Sequence, residues 1–166
     1  MCIRDSLQAN AAAHRFYQEQ LETPEAQDAR DMLLQRGFDE ALIKEFTCGY
    51  APAGWDTVTR HLQKQGFTFE ELEAAGISKM GSRGTPIDRF HRRLIWPISI
   101  PSGEVVGFGA RKLYDDDKLG KYMNTPETML YKKSKVLFGL DKAKKYIAES
   151  HQCVVVEGYT AVSYTH

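Results

Sequence analysis

The residue with the clearest potential for chemistry is Glu157, a carboxylate that follows an apolar run and precedes Gly158. Residues 152–157 read QCVVVE and predict a strand buried on both faces, as in a parallel α/β sheet. Because open α/β sheets bind ligands at the carboxyl ends of their strands, Glu157 could hold Mg²⁺ or act as a general acid or base. The alternatives are an exposed loop glutamate or an acid near the start of the next helix.

A second candidate site is a run of basic residues with aromatic side chains between them. The cations are Arg111, Lys121, Lys132, Lys133 and Lys135, and the aromatics are Tyr122 and Tyr131. Cations bind phosphates and aromatic rings stack on unpaired bases, so this composition is typical of a surface for single-stranded nucleic acid. The alternative is an ordinary solvated surface.

Two further patterns indicate structure rather than chemistry. Gly107-Phe-Gly109 lacks the third glycine of a dinucleotide-binding loop and lies within a predicted strand, so we interpret it as close packing. The consecutive acids Asp115–Asp117 lack the glycine-bearing frame of a calcium loop and indicate a solvated turn.

The cysteines and histidines predict no metal site. Cys2, Cys48 and Cys153 form no CxxC pair, and the five histidines form no HExxH pattern, so we expect neither a disulfide framework nor structural zinc. Cys48 and Cys153 lie among apolar residues, which predicts that both are small core residues.

Helices are the predicted elements of the first half of the chain. Helix starts are indicated at Thr23-Pro24-Glu25, at Asp39 and at the capping box of Thr68 and Glu71, and helical spacing covers residues 7–21 and 55–65. In the last of these, Trp55, Val58 and Leu62 share one face.

Strands are predicted in the second half, where residues 93–100 and 104–111 flank a tight turn and form a β-hairpin. Pro97 indicates an edge strand or a bulge. A charged loop follows at 114–120, a short strand or turn at 135–140, a helix at 141–149 and the apolar strand at 152–157.

Composition excludes several classes of protein. The 166 residues are enough for one domain or two small ones, and no apolar run approaches the ~18 residues of a membrane span. No secretory signal is visible, so we expect a cytoplasmic protein without a membrane partner. Residues 1–78 carry 7 Lys/Arg and 13 Asp/Glu, whereas residues 79–150 carry 15 and 8. This polarity indicates a basic face for a polyanion on the second segment.

Four blocks of residues carry a resemblance to a known family. RLIWPISIPSGEVVGFGARKL (93–113), KYMNTPETMLYKKSKVLFGLDKA (121–143) and VVVEGYTAV (154–162) closely resemble the catalytic core of bacterial replicative DNA primases. Arg36-Gly37 with GYAPAGW (49–55) is similar to the preceding helical part of that core. The match covers roughly residues 7–160, and the order and spacing of the blocks make it specific.

The resemblance implies an α/β fold with α+β character: an N-terminal helical part, a central β-hairpin subdomain and the first strand of a Toprim-type open α/β sheet. It implies synthesis of short RNA primers on single-stranded DNA from nucleoside triphosphates, with Mg²⁺ or Mn²⁺ in the full-length parent. It also implies association with the replicative helicase. The zinc site of the family is not within this sequence.

Site residues follow from the resemblance by position. Arg36 is similar to the family arginine of the helical part. Arg111 corresponds to the arginine of a GFGGR-like motif, here GFGAR, and Lys121 to the lysine before a YLNSPET-like motif, here YMNTPET. Lys133 falls on the lysine of an FHKG-like motif, but the sequence reads YKKS, so Lys132 competes for that role. These cations are expected to face template and nucleotide phosphates.

Glu157 matches the Toprim glutamate, which the resemblance places near the metals as a general acid or base. The family pattern continues EGYxD, whereas Ala161 stands at the aspartate position here. Because phosphoryl transfer depends on metals and positioning, we expect this chain by itself to make no primers. Templated RNA synthesis by the purified chain would contradict that expectation.

The resemblance also predicts a division of the chain. Residues 7–80 would be the helical part of the core, 81–150 its mixed basic part and 151–160 the start of the Toprim domain. Residues 1–6 and 161–166 resemble translated sequencing-adapter tails and are expected to be non-native.

Two alternatives remain open at this point. A non-catalytic module that binds single-stranded DNA would need the basic residues but not Glu157. Another Toprim protein, such as a topoisomerase or nuclease, would share the strand ending in glutamate, but the GFGAR and KYMNTPET blocks do not fit it.

Overall fold

The structure is a computed structural model that describes residues 2–156 and 158, and it has a mixed α/β fold. The helices are α1 (Ile3–Leu21), α2 (Gln27–Gln35), α3 (Glu40–Glu45), α4 (Thr57–Lys64), α5 (Phe69–Ala74) and α6 (Leu140–Ser150). The strands are β1 (Gly49–Ala51), β2 (Ser78–Met80), β3 (Pro86–Asp88), β4 (Arg93–Ser99), β5 (Val105–Lys112) and β6 (Tyr122–Asn124). Short 3-10 helices cover Pro24–Ala26 and Lys133–Lys135.

Local sequence signals define several helix ends. The Asp39 side chain accepts a hydrogen bond of 2.8 Å from the backbone N–H of Leu42 and so caps α3. Thr68 and Glu71 form a reciprocal capping box at the start of α5. Gly66 follows the C-cap of α4 and has a φ of +99°. This left-handed conformation suits glycine and terminates the helix. The predicted helix starts at Asp39 and Thr68 are confirmed.

Four antiparallel strands form the main sheet, in the order β1-β4-β5-β6. The predicted hairpin is confirmed as β4 and β5, with Ile95 opposite Ala110. Pro97 lies in a central strand, not at the edge of the sheet. However, β1 pairs only with residues 93–95, so Pro97 stands where β4 has one partner strand and its missing N–H is tolerated. A register shift follows between Ile98 and Ser99.

Helices cover both faces of this sheet because alternate residues of a strand point to opposite sides. Ile95, Phe108 and Ala110 pack in one apolar cluster with residues of α1, α4 and α5. Leu94 and Trp96 pack in a second cluster with residues of α2 and the segment around α3. The sequence did not predict β1, which comes from the helical half of the chain and joins that half to the hairpin through β4.

The predicted apolar strand at 152–157 is wrong for its described part. Residues 152–156 form neither helix nor strand, and their side chains are exposed, with Val154 at 86%. The physical reason is that a strand needs a hydrogen-bonded neighbour, and no described strand pairs with this segment. Cys153 is therefore exposed instead of buried in a core. Glu157 lies outside the described residues.

The other predicted core cysteine is confirmed. Cys48 is buried, and burial raises the pKa of its thiol to about 12, so the thiol stays protonated and unreactive. Trp55, by contrast, was expected on the apolar face of a helix. It precedes α4 and is 68% exposed, because the helix begins only at Thr57.

No helix in the described part of the chain is both long and apolar enough to cross a bilayer. The first helix begins at Ile3, inside the segment predicted to be a non-native tail. Whether residues 1–6 are native, and where the domain boundaries fall, stay predictions.

Candidate nucleic-acid interface

The edge formed by β5 and β6 brings two of the predicted binding residues together. Arg111 on β5 lies opposite Tyr122 on β6, and its guanidinium carbon is 5.9 Å from the centre of the tyrosine ring. Lys121 is the residue before Tyr122, and its carbonyl accepts a hydrogen bond of 3.0 Å from the backbone N–H of Lys112. Lys121 and Tyr122 are exposed, so a cation and an aromatic ring face solvent side by side.

Arg111 is nearly buried, with 6% of its surface exposed. One terminal nitrogen contacts the sulfur of Met32 on α2. The guanidinium pairs with no carboxylate within residues 2–156, and its Nε is buried without a hydrogen-bond partner there. An arginine whose donors lack acceptors is costly to bury, so the part of the guanidinium that remains accessible is suited to an anionic partner from outside these residues.

Thr125 fixes the position of β6 against β5. Its hydroxyl accepts a hydrogen bond of 2.8 Å from the backbone N–H of Phe108, and its own N–H donates to the Phe108 carbonyl at 2.8 Å. A Cβ on Gly107 would lie 3.1 Å from the Thr125 Cβ, and one on Gly76 would lie 2.6 Å from the Thr125 methyl group. The prediction that the glycines of GFGAR serve close packing is therefore confirmed at Gly107.

Lys132 and Lys133 lie farther along the same edge. Glu127 orders this loop, since one carboxylate oxygen accepts from the Lys133 backbone N–H at 2.9 Å and the other lies 3.7 Å from the Lys132 ammonium. Both lysine side chains are exposed. The loop returns to β5 at Gly107, four residues before Arg111, which corresponds to about 13 Å along a strand.

Tyr131 does not belong to the exposed surface. It is buried and packs with Ile98 and Val106, so the expectation that its ring lies under a base is wrong. Burial raises the pKa of Tyr131, which keeps its hydroxyl protonated.

Arg36 lies at the end of α2 and is half-buried. It follows Met32 by four residues, which puts both on the same side of the helix. Because Met32 contacts Arg111, the side of α2 that carries Arg36 faces the β5–β6 edge.

The acidic triplet offers no metal site. Asp115 lies 4.0 Å from Lys112, Asp116 lies 2.8 Å from Arg92, and Asp117 pairs with Arg93. Each carboxylate is thus paired with a different cation. Within residues 2–156 and 158, no group of three or more Asp, Glu, His or Cys residues is placed to hold a metal ion.

A pair of aromatic rings, one exposed and one partly buried, was not predicted from the sequence. The Trp55 ring lies 4.5 Å from the His91 ring, and His91 Nδ1 donates to the Gly54 carbonyl at 3.1 Å. The hydrogen bond fixes the imidazole, which in turn supports one face of the indole. The Trp55 ring remains 68% exposed, and exposed aromatic rings are typical of surfaces on which unpaired bases stack. Asp56 occupies the N-cap position of α4, so the helix begins after Trp55.

Comparison with known proteins gives a consistent result. Residues 16–144 match the family model of the DNA primase catalytic core, N-terminal domain. The DNA primase of Mycolicibacterium smegmatis is 62% identical over 161 residues, and that of Mycobacterium tuberculosis H37Rv is 61% identical over 161 residues. In both comparisons the match covers 96% of this chain and 25% of the relative. The chain thus spans about a quarter of the length of these curated relatives.

Solved structures agree with the sequence matches. The RNA polymerase domain of Mycobacterium tuberculosis primase DnaG, in complex with a double-stranded DNA oligomer with a 6-nucleotide overhang, has a TM-score of 0.93 at 60% identity. The superposition covers 98% of this chain and 50% of the Mycobacterium tuberculosis chain. A DnaG primase catalytic domain bound to ssDNA has a TM-score of 0.87 at 36% identity, covering 96% of this chain and 51% of that one.

Proposed function

Because the chain belongs to the family of N-terminal domains of the DNA primase catalytic core, we propose that it is the template-handling part of an enzyme that synthesises short RNA primers on single-stranded DNA. In enzyme terms the whole protein would be a DNA-directed RNA polymerase that acts in replication. The chain itself would bind template and nucleotide phosphates and make no primers alone.

The buried guanidinium of Arg111 is the observation that carries this proposal. It has no carboxylate partner in the described part of the chain, and it lies beside an exposed tyrosine and an exposed lysine. Arg111 would bind a phosphate directly, Lys121 would neutralise a neighbouring one, and Tyr122 would support a base or ribose. Arg36, Lys132 and Lys133 would extend the cationic track to either side.

The metal chemistry of the family is part of the proposal, with Glu157 as metal ligand and general acid or base. Mg²⁺ or Mn²⁺ would stabilise the charge of the transferring phosphoryl group when bound. The described residues do not fit such a site, because the acids nearest the interface are paired with Lys112, Arg92 and Arg93. Glu157 lies outside the described residues, so we derive no step through a metal.

The proposed partners are a single-stranded DNA template, nucleoside triphosphates, the RNA primer and the replicative helicase. Both of the solved structures described above contain DNA, one as a duplex with an overhang and one as ssDNA. Chromosome replication in bacteria takes place in the cytoplasm, where we propose that the protein acts. The start of a Toprim domain at residues 151–160 also belongs to the proposal, although residues 152–156 form no strand here. A non-catalytic DNA-binding module is favoured instead only if the longer protein binds single-stranded DNA but makes no primers.

Replacing Lys121 by alanine should weaken binding of labelled single-stranded DNA about fivefold at 0.1 M salt, because one phosphate contact is lost. The slope of log affinity against log salt concentration is negative, and it should become shallower by a little under one. Fluorescence anisotropy over a salt series measures both. Glu157→Ala should leave affinity and slope nearly unchanged.

The matched control is Lys145→Ala, which removes the same charge from an exposed lysine on α6 paired with Glu149. It should alter binding less than twofold. Equal losses for Lys121→Ala and Lys145→Ala would mean that DNA responds only to net charge, and the interface would be wrong.

Replacing Trp55 by alanine should also weaken DNA binding about fivefold, but without a change in the salt slope, because stacking involves no counterion release. Trp55→Phe should retain most of the affinity. Binding should quench the fluorescence of the native chain, whose other tryptophan, Trp96, is fully buried. Unaltered affinity of Trp55→Ala would show that the exposed indole takes no part in DNA binding.

A further inference from the structure

We propose that Arg93 is a positioning residue, which acts through Asp117 and the carbonyl of Gly120 to hold Lys121 at the β5–β6 edge. The inference rests on the proposed binding role of Lys121 and adds how the fold prepares that residue. Arg93 itself is too deeply buried to touch a ligand, since only 1% of its surface is exposed.

Arg93 lies on β4 opposite Lys112, with its guanidinium directed at the loop that connects β5 to β6. It contacts the Asp117 carboxylate, and its Nη1 donates to the Gly120 carbonyl at 3.0 Å. The planar guanidinium can serve a carboxylate and a carbonyl at once, which a lysine ammonium does with less geometric definition.

Asp117 links this buried cation to the loop backbone. One carboxylate oxygen meets Arg93, and the other accepts a hydrogen bond of 2.9 Å from the Leu119 N–H. The two neighbouring acids differ, since Asp115 and Asp116 pair with cations at the surface. Asp117 is therefore the one acid of the triplet that ties the loop to the interior of the sheet.

The result is that both peptide groups around Lys121 are held. The carbonyl before it, that of Gly120, accepts from Arg93, and its own carbonyl accepts from the Lys112 N–H at 3.0 Å. The backbone of Lys121 thus has little freedom, and its side chain starts from a fixed point one residue from Tyr122. A preorganised cation binds phosphate with a smaller loss of conformational entropy than one on a mobile loop.

For Asp117→Asn, a positioning role and simple electrostatics predict changes in DNA affinity of opposite sign. Removing a negative charge near a phosphate-binding lysine should strengthen DNA binding if charge alone matters. Loss of the link between Arg93 and the loop should weaken it. We expect Asp117→Asn to bind single-stranded DNA about threefold more weakly than the native chain, with a lower salt slope. Asp115→Asn, the matched control, should bind equally well or slightly more tightly, because the Asp115 side chain is fully exposed.

The test is a double-mutant cycle in the 166-residue chain, with fluorescence anisotropy of a labelled single-stranded DNA over a salt series. Asp117→Asn is combined with Lys121→Ala, and Arg93→Lys is measured as a second way to break the link. Thermal unfolding at the binding temperature shows which variants are folded. In the Lys121→Ala background, Asp117→Asn should cause no further loss, because the residue that it positions is gone.

Binding by Asp117→Asn that equals or exceeds that of the native chain overturns the inference. So does an equal loss with and without Lys121, since Asp117 would then act through something else. If Lys121→Ala itself has no effect, the proposed binding role of Lys121 fails first. That outcome is distinct, because the other two leave the effect of Lys121→Ala in place.

Discussion

Replacing Asp88 by alanine should lower the free energy of unfolding by about 3 to 4 kcal/mol, because it leaves buried donors at the start of α4 without an acceptor. Asp88 ends β3, and its carboxylate accepts from the backbone N–H groups of Val58 at 2.9 Å and Thr59 at 2.8 Å. The Thr59 hydroxyl donates to it at 2.6 Å and also contacts Ser78 at 2.7 Å. All of these groups are buried.

The carboxylate of Asp88 therefore performs the capping role that a residue next to the helix usually performs. Burial raises its pKa, and the hydrogen bonds from Thr59 and Val58 oppose that shift. Asp88→Asn should cost about half as much as the alanine change. It keeps one acceptor oxygen but turns an N–H₂ group toward one of the donors.

Asp56→Ala provides the matched control. Asp56 occupies the N-cap position of α4, but its side chain makes no capping hydrogen bond and pairs with the exposed Arg60 at 2.7 Å. Its loss should cost no more than about 0.5 kcal/mol. Urea unfolding followed by circular dichroism at pH 7 measures all three variants. A cost for Asp88→Ala no larger than that for Asp56→Ala would show that Asp88 does not cap the helix.

This contrast shows which parts of the fold the sequence could predict. The caps at Asp39 and Thr68 were recognised because donor and acceptor lie within three residues of each other. The Asp88 cap joins residues about thirty positions apart, and no local spacing reveals it. The three-residue strand β1 was missed for the same reason, since β4 and not its own composition makes it a strand.

The candidate site was predictable to a similar extent. The resemblance assigned Arg111 and Lys121 to one phosphate-binding surface, and the structure brings them close, because Lys121 directly precedes β6, which pairs with the strand of Arg111. The burial of Tyr131 and the exposure of Trp55 depend on what packs around them, so the residue types alone pointed the wrong way. The pairing of Asp116 with Arg92 and of Asp117 with Arg93 likewise depends on β4 lying beside β5.

Replacing Gly49 by alanine should lower the free energy of unfolding by about 3 kcal/mol, because the added methyl group would clash with the backbone of α1. A Cβ at Gly49 would lie 2.6 Å from the Cβ and 2.8 Å from the carbonyl carbon of Tyr17. These atoms cannot rotate away, unlike the end of a flexible side chain. Tyr17 is itself fully buried against Phe108, with ring centres 5.2 Å apart, so the helix cannot simply shift outward.

The strand cannot move instead, because Gly49 is paired with Ile95 in the sheet and is followed by the buried Tyr50. The clash should therefore separate α1 from β1 and loosen the apolar cluster beneath β4 and β5. Gly120→Ala is the control, since its Cβ would meet only the Tyr122 carbonyl at an ordinary 3.4 Å. Urea unfolding should show a lower midpoint for Gly49→Ala and little change for Gly120→Ala. Equal midpoints for Gly49→Ala and the native chain would mean that helix and strand are not in backbone contact here, and that the sheet does not depend on β1 to hold α1.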